Sequence, residues 1–177
     1  MAYFVCELYD VLMKYVLITI GLLLVFVALQ IFMTRRLIAV GIEIRDNTVP
    51  FERVIEGAET RILLIGDSTA VGVGAESPEL SIAGRVAQTF PDASITNMGV
   101  SGEKAAELVG RLEALEGRYS LIMVHIGGND AVRFTDLTEL EESMVRVLGL
   151  AKSKADNVTL TSSGSLGTAK LLPLGTR

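Results

Sequence analysis

Three short turns carry the residues whose types could do chemistry. Gly66-Asp67-Ser68 follows the apolar run Ile62, Leu63, Leu64 and Ile65, Met98-Gly99-Val100-Ser101-Gly102 follows a shorter strand-like stretch, and Gly127-Gly128-Asn129-Asp130 follows Tyr119–Ile126. A serine hydroxyl to attack a carbonyl, a glycine N–H free of side-chain obstruction and an asparagine amide as a second donor are the groups an acyl-transfer centre needs around a developing oxyanion. Each turn also has a plainer reading. Asp and Ser after a strand commonly cap the next helix, and glycine in such a turn is often only a steric requirement of the loop. Spacing alone leaves both readings of Ser68 open. His125, the single histidine of the chain, lies inside an apolar run and reads as a core residue rather than a catalyst.

The elements around these turns alternate in a way that brings them together. Residues 62–65 form a continuous apolar run, the pattern of a strand buried on both faces of a parallel sheet. Ser77-Pro78-Glu79 is a helix start with proline at the first position, and Ile82, Ala83, Val86, Ala87 and Phe90 fall at helical spacing as a core-facing stripe that runs to about Phe90. Residues 93–97 read as a second strand. A helix with Ala105, Leu108, Val109, Leu112 and Leu115 on one face follows. Tyr119–Ile126 is the strongest strand, Leu137, Leu140, Met144, Val147, Leu148 and Ala151 mark a third amphipathic helix, and residues 157–161 a fourth strand. This order, βαβαβαβ, implies an α/β domain with a parallel sheet, helices on both faces and right-handed crossovers. In such a sheet the turns after the first three strands all leave at the C-terminal edge, where open α/β sheets hold their ligands. Residues 162–177 are rich in Gly and Ser and carry no closing helix.

Composition bounds the setting. The chain has 177 residues, 50% of them hydrophobic, a mean hydropathy of +0.46 and a net charge of −5. The excess hydropathy comes from residues 15–33, nineteen residues without a charge. At about 1.5 Å per residue they come close to spanning a hydrocarbon core of roughly 30 Å. The run reads as a transmembrane helix, with a cleavable signal peptide as the rival, since Met13-Lys14 before it resembles a signal n-region and Met13 is a second candidate start. No small-residue cleavage site follows, and Arg35-Arg36 closes the run, so an uncleaved single-pass anchor in a bacterial inner membrane is expected. Arg35, Arg36 and Arg45 against Lys14 favour a cytoplasmic C-terminal domain only weakly. The organisation expected is an anchor over residues 1–36, a linker or short helical stalk over 37–60 interrupted by Gly41, Asn47, Pro50 and Gly57, and a domain over 61–177. Val49-Pro50-Phe51 is placed to pack on that domain. The negative charge argues against a nucleic-acid partner. One Cys and one His leave little for a transition-metal site, and neither G-x-x-x-x-G-K-[ST] nor G-x-G-x-x-G follows the first strand, so no metal or cofactor is expected.

GDS after a first strand, NMGVSG after a second and GGND after a third, in this order, resemble the first three sequence blocks of the SGNH hydrolases, also called GDSL-type esterases and lipases. The match covers residue 61 to the end of the chain, and the strings GDSTAVGVGA and GSLGTA are similar to bacterial members. The resemblance implies a three-layer α/β/α flavodoxin-like fold and hydrolysis of ester or acyl groups through an acyl-serine. It maps Ser68 to the nucleophile, and the Ser68 and Gly102 N–H groups with the Asn129 side chain to the oxyanion hole. The partners implied are a small ester, a lipid or an acylated glycan.

The family's Asp-x-x-His block, whose His acts as general base on the serine, has no counterpart in these 177 residues. A neutral serine hydroxyl is a weak nucleophile without a base. The expectation is therefore an SGNH fold incomplete at its C-terminus and an esterase inactive over these residues, with a reading frame that continues past Arg177 into that motif. The alternative is a non-catalytic binding module for an acylated or glycan ligand on the same pocket.

Overall fold

A computed structural model describes residues 2–162. The tail from residue 163 on, with the string GSLGTA, lies outside the described residues. The chain divides into two units, Met1–Glu43 and Ile44–Arg177.

The first unit is occupied by α1 (Ala2–Asn47), which carries on a few residues into the second. Leu12–Asn47 of it is, among the described residues, the one helix long and apolar enough to cross a membrane, a property that a signal sequence shares. Its apolar side chains, Leu22, Leu24 and Phe32 among them, are exposed. The expected interruption at Gly41 does not occur, and the border drawn at residue 36 falls inside continuous helix. A single glycine weakens a helix by only about 1 kcal/mol relative to alanine, and the first proline after the apolar run is Pro50.

The second unit is built on a four-stranded parallel sheet of β1 (Arg61–Gly66), β2 (Ser94–Gly99), β3 (Tyr119–Ile126) and β4 (Ala155–Ser162), in the order β2-β1-β3-β4. Its helices are α2 (Ser68–Val71), α3 (Ile82–Thr89), α4 (Ala105–Ala114), α5 (Gly128–Val132) and α6 (Leu137–Lys154). Two cores sandwich the sheet and make three layers. On one face Leu63, Ile65, Ile122, Val124 and Ile126 meet Leu108 and Leu112 of α4 and Val147 and Ala151 of α6. On the other, Ile62, Leu64 and Ile95 meet Ala83 and Ala87 of α3, with Phe51 packed against them. Successive β1 residues thus serve opposite cores, and all four are buried, which is why the run shows no polar alternation. Arg53 adds an antiparallel bridge to Ile95, so the segment before β1 is joined to the domain as Val49-Pro50-Phe51 suggested.

Two local expectations change. Ser77-Pro78-Glu79 starts a short 3-10 turn, Pro78–Leu80, and the α-helix begins afresh with Ser81 as its cap, whose hydroxyl accepts from the Gly84 N–H at 3.2 Å. Ser77 makes no side-chain cap bond, and Phe90, beyond the last helical turn, is exposed rather than core-facing. Leu137 at the start of α6 is likewise exposed, because the helix meets the core from Leu140 on.

Candidate active site

Strand register sets the site's position. Gly66 pairs with Gly99 of β2 on one side and with His125 of β3 on the other, so the three strands end level. Ser68, Gly102 and Asn129 follow those ends by two, three and four residues. All three are partly exposed at the C-terminal edge.

The first turn is held by Gly66 and Asp67. Gly66 has φ +130°, and its missing β-carbon leaves room for the His125 carbonyl oxygen, which would stand 1.9 Å from a Cβ there. Through this gap the Asp67 N–H donates to the His125 carbonyl at 2.8 Å, and the Val100 N–H donates to the Gly66 carbonyl at 2.7 Å. The Asp67 carboxylate caps α2, accepting from the Thr69 N–H at 2.8 Å. The capping reading of this turn thus belongs to Asp67. The Ser68 hydroxyl makes no hydrogen bond among the described residues.

The second and third turns are tied to each other. Asn129 Nδ2 donates to the Glu103 carbonyl at 3.1 Å, fixing the amide plane beside Gly102. Its second N–H has no partner among the described residues. Asp130, 1% exposed, accepts from the Ala105 N–H at 3.0 Å and secures the start of α4. Glu103, buried beside Gly102, receives both carboxylate oxygens' bonds from Arg111 Nη1 at 2.7 and 2.8 Å, while Arg111 Nη2 donates to the Met98 carbonyl. Burial raises the Glu103 carboxyl above its ordinary pKa, against the pull of Arg111. Asn97, at the end of β2, donates to the Ala70 carbonyl at 2.8 Å and accepts from the Gly99 N–H at 3.0 Å, locking α2 to β2.

These bracing residues were not singled out from sequence. Asn97 and Asp130 stand inside quoted blocks, and their signal is a small polar residue where an apolar strand ends. Glu103 and Arg111 are eight residues apart on a turn and a helix and look like ordinary surface charges, so nothing local marks the pair. Arg133, whose Nη2 would lie 3.2 Å from a β-carbon on Gly102, was also missed. It follows the quoted GGND by only three residues.

His125 is where the sequence placed it, in the core. It is 2% exposed, and neither ring nitrogen has a hydrogen-bond partner among the described residues. Burial lowers its pKa, with the Asp67 charge pulling the other way. The sign for stability follows. The unfolded chain takes up the His125 proton near its ordinary value of about 6.5, and the folded chain only at lower pH, so stability is full above that window and falls as pH drops through it. The parent is expected to lose Tm faster than His125→Leu between pH 7 and 5.5. Parallel Tm–pH profiles would contradict this. Glu103 has the opposite sign just above its unfolded pKa of about 4.3, and comparison of parent with variant cancels it.

Among the described residues no group of three His, Cys, Asp or Glu is placed to hold a metal ion. The arrangement offers a free hydroxyl at the edge of the sheet, the Ser68 and Gly102 N–H groups with no described acceptor, and one free amide N–H on Asn129.

Comparison with known proteins adds the following. Residues 64–176 match the family described as GDSL-like lipase/acylhydrolase. Esterase TesA of Pseudomonas aeruginosa is 26% identical over 110 residues, covering 59% of this chain and 55% of its own length. The chain therefore spans little more than half of that relative. Among solved structures, that of a TesA superposes with a TM-score of 0.52 at 23% identity, over 57% of this chain and 59% of the other. A lipolytic G-D-S-L protein from Veillonella parvula gives 0.53 at 19% identity, over 63% and 64%. These two likenesses show the fold.

Proposed function

Because the chain belongs to the GDSL-like lipase/acylhydrolase family, and so to hydrolases of the esterase kind, we propose that its site cleaves ester or acyl bonds through an acyl-serine formed on Ser68. The observation that carries this reading is the Ser68 hydroxyl, which has no structural bond to make while its neighbour Asp67 caps the helix. Its oxygen attacks the substrate carbonyl, forming the C–O bond as the carbonyl π electrons move to oxygen. That oxyanion is received by the Ser68 and Gly102 N–H groups and the free N–H of Asn129. Collapse re-forms the carbonyl and expels the alkoxide, which takes up a proton to leave as the alcohol. Water then attacks the acyl-serine, releasing the acid and returning a proton to Ser68. Positioned donors act here because their dipoles are already aimed when charge develops. Asn129 is aimed by its bond to the Glu103 carbonyl, and that turn is in turn braced by Arg111.

A base must accept the Ser68 proton. The one histidine in these residues is buried and makes no side-chain hydrogen bond among the described residues. We therefore take deprotonation of Ser68 as the slow step over residues 1–177, with solvent water or hydroxide accepting the proton in place of a positioned base. The same burial favours the second reading, a module that binds an acylated or glycan ligand without turnover. The substrates proposed are a small ester, a lipid or an acylated glycan, and α1 is taken as a single-pass anchor that holds the domain at a membrane.

One experiment addresses both parts. Membranes carrying the protein are washed with alkaline carbonate, then treated with a fluorophosphonate. The protein is expected to stay in the membrane fraction and to label slowly, and Asn129→Ala to slow labelling by about a hundred- to thousandfold. Release by the wash would remove the anchor. Equal labelling rates in parent and variant would remove Asn129 from the oxyanion hole.

A further inference from the structure

Arg133 stands at the rim of the site with nothing to neutralise it. It closes α5, is exposed, and makes no side-chain hydrogen bond or ion pair among the described residues. Two carboxylates of the site are engaged elsewhere: Glu103 with Arg111, and Asp130 with the Ala105 N–H. Yet the Arg133 guanidinium lies over Gly102, its Nη2 3.2 Å from where a β-carbon would stand. An unpaired guanidinium beside a neutral oxyanion donor is a fork for a planar or tetrahedral anion. The protein's net charge of −5 gives it no general attraction for anions, so any such preference must be local.

The next residue supplies an apolar counterpart. Phe134 has φ +52°, the only non-glycine residue with positive φ among those described, and its ring is 79% exposed. Holding a bulky residue in the left-handed region costs roughly 1–2 kcal/mol, and exposing an aromatic ring gains nothing in the fold. Val132, on the other side of Arg133, is exposed as well. A cation beside an exposed apolar residue that leaves the helix in the left-handed region suits an amphipathic ligand, with its anion on the guanidinium and its alkyl part on Phe134.

We propose that Arg133 is the specificity-determining residue of this site and selects acyl esters that carry a phosphate or carboxylate close to the scissile carbonyl. This rests on the hydrolase reading and goes beyond it in naming the substrate class. The anion seats on Arg133 while the ester carbonyl reaches the N–H of Gly102, the residue that the guanidinium overlies.

The test reads binding without turnover. Titration calorimetry on the full chain in a nonionic detergent compares butyl phosphate, inorganic phosphate and neutral butyramide. The parent is expected to prefer butyl phosphate to butyramide, and Arg133→Gln to lower that preference roughly ten- to a hundredfold, as for loss of a charge-assisted bidentate pair. Arg133→Lys should restore part of it. Arg118→Gln removes the same charge just before β3, at the opposite edge of the sheet, and should leave the preference as it is. A preference unchanged by Arg133→Gln, or lowered equally by Arg118→Gln, overturns the proposal. Inorganic phosphate binding as tightly as butyl phosphate would mark a free-anion site and overturns the substrate class. Fluorophosphonate labelling of Ser68 with no anion preference sinks this inference alone. Anion preference with no Ser68 adduct sinks the hydrolase reading, and with it the scissile ester of this proposal, while the anion seat on Arg133 stands. Melting curves of each variant check the fold, which the unpartnered Arg133 side chain does not support.

Discussion

Gly66→Ala is expected to remove most of the stability of the sheet domain. The new methyl group would stand 1.9 Å from the His125 carbonyl oxygen and 2.7 Å from its carbon, both backbone atoms of the neighbouring strand, so no side chain can swing away to make room. Relief requires β1 and β3 to part at their ends, which breaks the Asp67 N–H bond to that carbonyl and disturbs the Val100 bond to Gly66. The φ of +130° adds strain that an L-residue rarely tolerates. Together these place the loss above about 4 kcal/mol, in the exceptional tail of single substitutions, or a fall in Tm on the order of 15 °C. Gly74→Ala is the control. It has φ +92° but nothing within 4 Å, so it bears conformational strain alone, roughly 1–2 kcal/mol. Thermal melts of the two variants should differ widely. Equal losses would mean that close packing at Gly66 does not matter and that the strand ends are looser than the register indicates.

Ser68→Ala is expected to do the reverse, leaving the fold and removing the chemistry. The hydroxyl makes no bond among the described residues, and Asp67 rather than Ser68 caps α2. Stability should therefore stay within about 0.5 kcal/mol of the parent. Without the oxygen no acyl or phosphonyl bond can form, and hydrolysis of an activated ester such as p-nitrophenyl acetate should drop to the residual rate, roughly 10³–10⁴ over water, that binding and the remaining donors sustain alone. Substrate binding at the remaining donors would persist, so the loss belongs in kcat rather than KM. A variant that hydrolyses the ester as fast as the parent would place the nucleophile elsewhere, and one that unfolds would make Ser68 a structural residue.

The sheet was legible because its strands are buried on both faces. Ile62, Leu63, Leu64 and Ile65 alternate between two cores, so the sequence shows an unbroken apolar run, and β3 does the same from Leu121 to Val124. The α4 stripe was legible to the residue, since Ala105, Leu108, Val109, Leu112 and Leu115 are all buried. Helix starts were harder. Ser77-Pro78 and Ser81 both look like caps, and only the tertiary position of Gly84, whose missing Cβ leaves room for the Glu79 backbone at 2.4 Å, decides for Ser81. Of the site, sequence order fixed which strand ends hold Ser68, Gly102 and Asn129, because parallel strands with right-handed crossovers leave their turns on one edge. What it could not supply was the bracing. The bond from Asn129 to the Glu103 carbonyl joins residues 26 apart, the Arg111 grip on Met98 spans 13, and neither leaves a periodic or compositional trace. The approach of Arg133 to Gly102 is of the same kind, set by how α5 leaves β3.

The most direct test of the account is the address of the covalent adduct. The full chain is treated with a fluorophosphonate, digested, and mapped by mass spectrometry. The account predicts a single modified peptide containing residues 66–75, with the phosphonyl group on Ser68 and none on Ser81 or Ser101. An adduct on another serine, or an ester-hydrolysing protein that carries no adduct on Ser68, would contradict it.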